Sequence, residues 1–325
     1  MCNATMGLML AIGEVIGQER LFRRTAAKRY ALMPSFTFAA AAHAALWCGL
    51  TPLFCDIDED TWLPDADHEE ALLERYAGEI AVVVPCATFG NNLDLSRYER
   101  LAKSHGVPIV VDAAASLGCL DAATQGFGTG FPWPVIFSMH ATKPFSVGEG
   151  GMIYCADEDR ISRLRAMGAF GFEQPRTATL PGLNAKMSEL TALSALQQLK
   201  RFPDIITHRV ALATSYQSHL PKTLRGQTQC GKRQIRTFES VLLPRAHTAR
   251  RSAIMQRLSS KGIGTATYFS PHLAQQPLFA EFAVREELSV TEDIASRIIS
   301  LPLLSTMSLL EIERVGLALE EVLDS

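Results

Sequence analysis

Short apolar runs without polar alternation recur along the first two thirds of the chain, and stretches with helical spacing separate them. Ile80–Cys86 (IAVVVPC) has the pattern of a strand buried on both faces. After it, Leu93, Leu95, Tyr98, Leu101 and Ala102 recur on one helix face, and Gly106 stands where a left-handed C-terminal residue would end that helix. Val107–Ser116 (VPIVVDAAAS) repeats the buried-strand pattern and runs into small residues. Strand, helix, strand in this rhythm predicts a right-handed crossover and a mainly parallel sheet. TPLFCDID and PVIFSMH add further strands.

Asn184–Phe202 then reads as a long helix whose apolar face is interrupted by Ser188, Glu189 and Lys200. Beyond it the rhythm changes. TFESVLLP, GIGTATYF and ISLPLL read as short strands, with helices over Ala249–Lys261 and at the C-terminus. The last helix opens on a capping-box pattern, Ser308 to Glu311, ahead of Ile312, Val315, Leu319 and Val322. The change of rhythm predicts a large domain over residues 1–203 and a smaller α+β domain over 204–325.

Composition narrows the class. A chain of 325 residues, 47% apolar and 20% charged, can bury a sizeable core. A formal charge of −3 with both signs dispersed leaves no basic face for nucleic acid. No apolar run has membrane-spanning length, and the N-terminus lacks a signal pattern, so a soluble cytoplasmic chain without a membrane partner is expected. Seven cysteines, an odd number without C-x-x-C spacing, argue against both a disulfide framework and a zinc site. The eight histidines show no H-E-x-x-H spacing, so no metal is expected.

One stretch then changes the picture: FSMHATKPFSVGEGG, Phe137–Gly151. It places Lys143 between a strand and a glycine-rich turn, although lysine is mostly a surface residue because burying its ammonium unpaired is costly. In an open parallel sheet, ligands gather beyond the carboxyl ends of the strands. Asp112 ends its strand there, before Ala113, Ala114 and Ala115, and Ser138 precedes the lysine. Asn3, Ala4 and Thr5 open a helix whose free amides suit a phosphate.

These residues meet the requirements of pyridoxal phosphate. A lysine bonds the cofactor aldehyde, and a carboxylate keeps the pyridinium nitrogen protonated. Hydroxyls and helix-start amides hold the phosphate, and an aromatic ring, here Phe38, covers the cofactor face. Each residue also has a plainer reading. A strand-end Asp is more often a turn residue, a lysine near glycines is usually solvated, a helix-start Thr is an N-cap, and Phe38 is core. On spacing alone, a nucleotide-binding sheet edge is the stronger reading.

The chain as a whole resembles the DegT/DnrJ/StrS family of sugar-nucleotide aminotransferases, which have the aspartate-aminotransferase (fold type I) architecture. Eight segments carry the resemblance in family order: NAT, MPSFTFAA, TPLFCDID, VPCATFGN, VVDAAAS, FSMHATKPFSVGEGG, GLNAKMSE and YFSPH. The resemblance implies an α/β fold, with a large, mainly parallel sheet flanked by helices and a smaller C-terminal α+β domain. It implies that Lys143 bonds pyridoxal 5′-phosphate and shuttles the proton of the reaction. Asp112 would be the pyridinium partner, Ser138 and Thr5, with Ala4 in the same cradle, the phosphate ligands, and Phe38 the stacking ring. Asn184 would reach the phosphate of the neighbouring subunit, making a homodimer with shared active sites. His272 falls in a segment similar to the family's sugar-nucleotide-binding loop, and as an ordinary loop histidine it would be merely polar.

The implied reaction moves an amine from an amino acid, glutamate in most of the family, to a nucleotide-linked keto sugar. The version GLNAKMSE resembles the subset serving surface polysaccharides such as lipopolysaccharide. Two departures qualify this. Ala115 stands where many members carry Gln or His beside the cofactor. The chain also opens almost on NAT, so a loosely held phosphate cradle and a shortened, catalytically weak homologue are expected. A third alternative, a pyridoxal-phosphate-dependent sugar dehydratase, would carry histidine in place of Lys143.

Overall fold

The computed structural model describes residues 1–17 and 28–324. The first element, α1 (Ala4–Ile16), is capped by the Asn3 side chain, which accepts from the Met6 amide. Strands and helices then alternate: β1 (Tyr30–Pro34), α2 (Ala40–Trp47), β2 (Thr51–Cys55), α3 (Ala66–Arg75), β3 (Ile80–Val83) and α4 (Leu95–His105). α4 ends where the pattern predicts, on Gly106 in the left-handed region at φ 62°, and the Asp94 carboxylate caps its start. Next come β4 (Val111–Asp112), β5 (Val135–Ser138), β6 (Gly151–Tyr154), α5 (Glu158–Met167) and a small hairpin, β7 (Phe172–Glu173) with β8 (Thr177–Ala178).

β1 pairs in parallel with β2 and with β3, and β4 pairs in parallel with β5. Parallel bridges at Val83–Ile109 and Cys86–Asp112 join the two halves, so the strand ends form one edge. β6 runs antiparallel to β5, pairing Ser138 with Gly151. That reversal folds the Lys143 turn back over the carboxyl edge. α1 lies on β5 and β6, and a Cβ at Gly7 would already lie 3.3 Å from Ile136 Cγ2.

The predicted helix over Asn184–Phe202 is displaced and longer. α6 (Glu189–His219) has 31 residues and continues through Pro203. Ser188 is its N-cap and Glu189 lies in its first turn, so neither interrupts an apolar face. Its first half exposes Leu190, Leu193, Leu196 and Leu199. Its second half buries Leu212 and Tyr216 in a separate core with Val241, Leu258, Ile299, Ile312 and Leu319.

That core is built from β9 (Arg225–Gly226), β10 (Glu239–Leu242), α7 (Arg251–Ser260) and elements near the C-terminus. GIGTATYF forms no strand; only Ala266 bridges to Ser300. The chain then runs through α8 (Pro277–Phe282), β11 (Val284–Arg285), α9 (Ser289–Arg297), β12 (Ile298–Leu301) and α10 (Leu309–Asp324). β11 returns to the first sheet beside β2, and Leu273, Phe279 and Leu288 pack into the first core. The capping box of α10 forms as predicted: the Ser308 amide donates to Glu311 Oε2 and the Glu311 amide to Ser308 Oγ. Among the described residues no helix is long and apolar enough to cross a membrane.

Candidate active site

The carboxyl ends of β3 and β4 are locked in register by the Ala87 amide on Asp112 O (2.9 Å) and the Asp112 amide on Pro85 O (2.9 Å). Asp112 is only 3% exposed. One carboxylate oxygen accepts from the Ala114 amide at 3.1 Å, and among the described residues the other has no hydrogen bond. Burial raises its pKa, while the Ala114 amide and the charge of Lys143 oppose that rise.

Lys143 faces this carboxylate from the turn between β5 and β6. Its side-chain amine makes no hydrogen bond among the described residues. Burial holds its pKa below the usual lysine value, against the opposing pull of Asp112 and Cys86. Cys86 is the third member of the group. Its thiol accepts from Thr37 Oγ1 at 3.0 Å and is pushed up to about 12, by burial first and then by Asp112, so it stays protonated. Thr37 in turn precedes Phe38, whose ring is 63% exposed at the same edge.

The opposite wall is the start of α1. Asn3 occupies the Met6 amide and the Gly7 amide reaches Asn3 O, but among the described residues the amides of Ala4 and Thr5 and the Thr5 hydroxyl donate to nothing. Free donors at the positive end of a helix make an anion seat. Ser138 closes it, bonded through its amide to Ala114 O (3.3 Å).

The start of α1 is bonded to its surroundings. The Met1 ammonium donates to Gly151 O (2.9 Å), the Gly151 amide to Met1 O (3.1 Å), and the Cys2 amide to Ala185 O (2.8 Å). Glu14 on the same helix pairs with Arg160 and Arg163 of α5. Met1 and Cys2 are thus hydrogen-bonded to Gly151 and Ala185, beside the start of α1.

The remaining candidates divide. Ala115 is half-buried beside this edge, and its carbonyl lies 2.7 Å from where a Cβ on Gly90 would be. Asn184 is exposed, its Oδ1 accepting from Lys186 Nζ at 2.6 Å, and is not bonded to Thr5 or Ser138 of its own chain. His272 lies in the loop before Leu273 at 0% exposure, and its Nε2 has no hydrogen-bond partner among the described residues. Ser35 Oγ accepts from the Ala274 amide and shares a hydrogen bond with His272 Nδ1, 2.8 Å away. Burial lowers the histidine pKa to about 4. His272 thus forms a buried joint between the end of β1 and the segment before α8.

Sequence reasoning passed over Cys86 and Thr37. Each had a local signal, one ending the IAVVVPC run and the other adjoining Phe38, but only the fold sets them beside Asp112.

An α/β sheet with a half-buried lysine near a buried carboxylate, and free helix-start amides at its carboxyl edge, has the architecture of the fold type I pyridoxal-phosphate enzymes. The chain belongs to the DegT/DnrJ/EryC1/StrS aminotransferase family, whose sequence profile matches residues 1–320. It is 34% identical over 326 aligned residues to protein Rv3402c of Mycobacterium tuberculosis, covering 99% of this chain and 77% of that one. A Bacillus cereus ATCC 10987 structure assigned as a PLP-dependent aminotransferase matches with TM-score 0.90 and 38% identity, over 98% of this chain and 84% of that chain. DesI, solved with its TDP-sugar product, matches with TM-score 0.85 and 31% identity, over 98% and 79%. The cofactor of the family is pyridoxal phosphate. The donors found here fit it: an unpaired buried carboxylate oxygen, an unpaired amine and free helix-start amides.

Proposed function

We propose that this chain moves an amino group from an amino acid, glutamate in the reading the sequence favours, to the keto group of a nucleotide-linked sugar. Its place would be in supplying deoxyaminosugars for surface polysaccharide such as lipopolysaccharide. The observation that carries the reading is the charge interaction of half-buried Lys143 with buried Asp112, on the same sheet edge as the free amides of Ala4 and Thr5. The TDP-sugar bound by DesI supports the acceptor class. Lysine rather than histidine at position 143 favours transfer over dehydration.

Bound pyridoxal phosphate supplies the electron sink and the group that carries the amine. Asp112 would hold a proton on the pyridine nitrogen. Ala4, Thr5 and Ser138 would hold the phosphate, Phe38 would cover the ring, and Ala115 would leave room beside it. Lys143 would hold the cofactor and serve as a base, because burial lets its ammonium lose a proton more readily than a solvated lysine does.

The working unit is a homodimer in which Asn184 of each chain completes the other's phosphate site; the exposed leucines at 190, 193, 196 and 199 support that assembly. Residues 1–203 and 204–325 would form the two functional units, with α6 shared between them and the segment from Leu273 to Leu288 packed back on the first. The separate core around Leu212 and Tyr216 supports that division.

The test is a coupled assay for keto acid formed from glutamate across a panel of keto-sugar nucleotides. It is joined to borohydride reduction and peptide mapping. Turnover with at least one acceptor and a pyridoxyl mass on the Lys143 peptide are expected. No turnover with any sugar, or the label on another lysine, rejects the reading.

A further inference from the structure

One imidazole ties together the turn that carries Lys143. Main-chain bonds close its base: Met139 N to Gly150 O (2.9 Å), Val147 N to Met139 O (3.0 Å) and Ala141 N to Gly148 O (2.8 Å). At its tip the Lys143 amide donates to His140 O at 2.8 Å. The His140 ring does the rest. Its Nδ1 lies 3.3 Å from the Thr142 amide and 3.0 Å from Thr142 Oγ1, and its Nε2 lies 3.5 Å from Glu149 Oε1.

A backbone amide can only donate, so Nδ1 is the acceptor and the neutral ring carries its proton on Nε2, toward Glu149. The His140 amide meanwhile donates to Ser138 Oγ at 3.2 Å, which fills an acceptor site on that hydroxyl and leaves its proton free. A surface histidine ordinarily leaves its nitrogens to water. Here the residue reaches Ser138, Thr142, Lys143 and Glu149 together.

We propose that His140 is the positioning residue of the site. Its Nδ1 pins Thr142 and its carbonyl pins the Lys143 amide, so that the amine is presented from a fixed turn, while its amide aims the Ser138 hydroxyl outward. The proposal rests on Lys143 being the reactive amine. A lysine side chain has many rotamers, and fixing its root narrows the set that can reach Asp112.

The test compares His140→Ala, His140→Asn and His140→Gln. Asparagine places an acceptor oxygen near the site of Nδ1, whereas glutamine reaches toward that of Nε2. The first readout is hydrogen exchange of the Thr142 and Lys143 amides in the chain without pyridoxal phosphate. The second is the acetylation rate of Lys143 by acetic anhydride, read by mass spectrometry. Thermal unfolding checks that each variant is folded.

Alanine and glutamine should speed exchange at Thr142 by about tenfold and change Lys143 acetylation severalfold, and asparagine should stay within about twofold of the parent chain. Alanine behaving like the parent overturns the proposal. So does rescue by glutamine and not asparagine, which would place the role on Glu149. Should alanine fail to fold, the asparagine–glutamine contrast decides. Because both readouts omit the cofactor, asparagine rescue would stand even if the keto-acid assay rejected the proposed reaction.

Discussion

Gly151 and Ala4 meet with no space for a side chain between them. A Cβ on Gly151 would lie 2.7 Å from the Ala4 amide nitrogen and 2.7 Å from the Asn3 carbonyl carbon. One of the two free amides of the anion seat thus lies directly against β6. The same glycine bonds Met1 through both its amide and its carbonyl.

Gly151→Ala should therefore push the start of α1 off the sheet edge. Overpacking of this kind costs about 1–3 kcal/mol, which predicts pyridoxal phosphate held about tenfold to a hundredfold more weakly. Cofactor stoichiometry after dialysis measures it. Unchanged retention would show that the contact does not set the seat.

Asp112→Asn is nearly isosteric and removes only the charge. A charge-assisted hydrogen bond is worth roughly 1.5–3 kcal/mol, so turnover should fall at least about tenfold while the cofactor is largely retained. Near-normal turnover would contradict the pyridinium role.

The same variant carries a stability signature. Burial raises the Asp112 pKa in the folded chain above its unfolded value of 3.8, so the folded state holds this proton more tightly than the unfolded state does. Above pH 3.8 the unfolded carboxyl ionises first, and stability falls until the folded pKa is passed. The cofactor-free Asp112→Asn chain should therefore be the more stable one at neutral pH, and the difference should vanish on acidification. Denaturant melts at several pH values check this, and equal midpoints throughout would refute it.

Ser35→Ala should lower stability before it alters substrate affinity. It strips partners from His272 Nδ1 and the Ala274 amide, both buried. Each unsatisfied group costs about 1–3 kcal/mol, so the melting temperature should drop by several degrees with KM little changed. A raised KM with an unchanged melting temperature would return His272 to the substrate.

Asn184 is best tested by mixing. Chains with Asn184→Ala and with Lys143→Ala, each weak alone, should regain activity when their subunits exchange, because one hybrid site then holds both native residues. No recovery despite proven exchange would assign Asn184 to its own subunit.

The sequence by itself determined what local forces decide. The run IAVVVPC marks β3 because a strand covered on both faces needs apolar residues throughout. The spacing from Leu93 to Ala102, with Gly106 after it, delimits α4 to within a residue or two at each end. Ser308 and Glu311 cap each other across three residues, and Lys143, Asp112 and Thr5 could be picked out because their motifs are continuous in the chain.

The tertiary structure decided whatever depends on distant partners. α6 crosses Pro203 because its second half gains a core from strands and helices downstream, which outweighs the bond a proline removes. His272 is buried by Ser35, 237 residues away, and no pattern near either residue shows that pairing. Met1 and Cys2 likewise find their backbone partners in Gly151 and Ala185, far along the chain, because such pairing depends on the fold and leaves no local pattern.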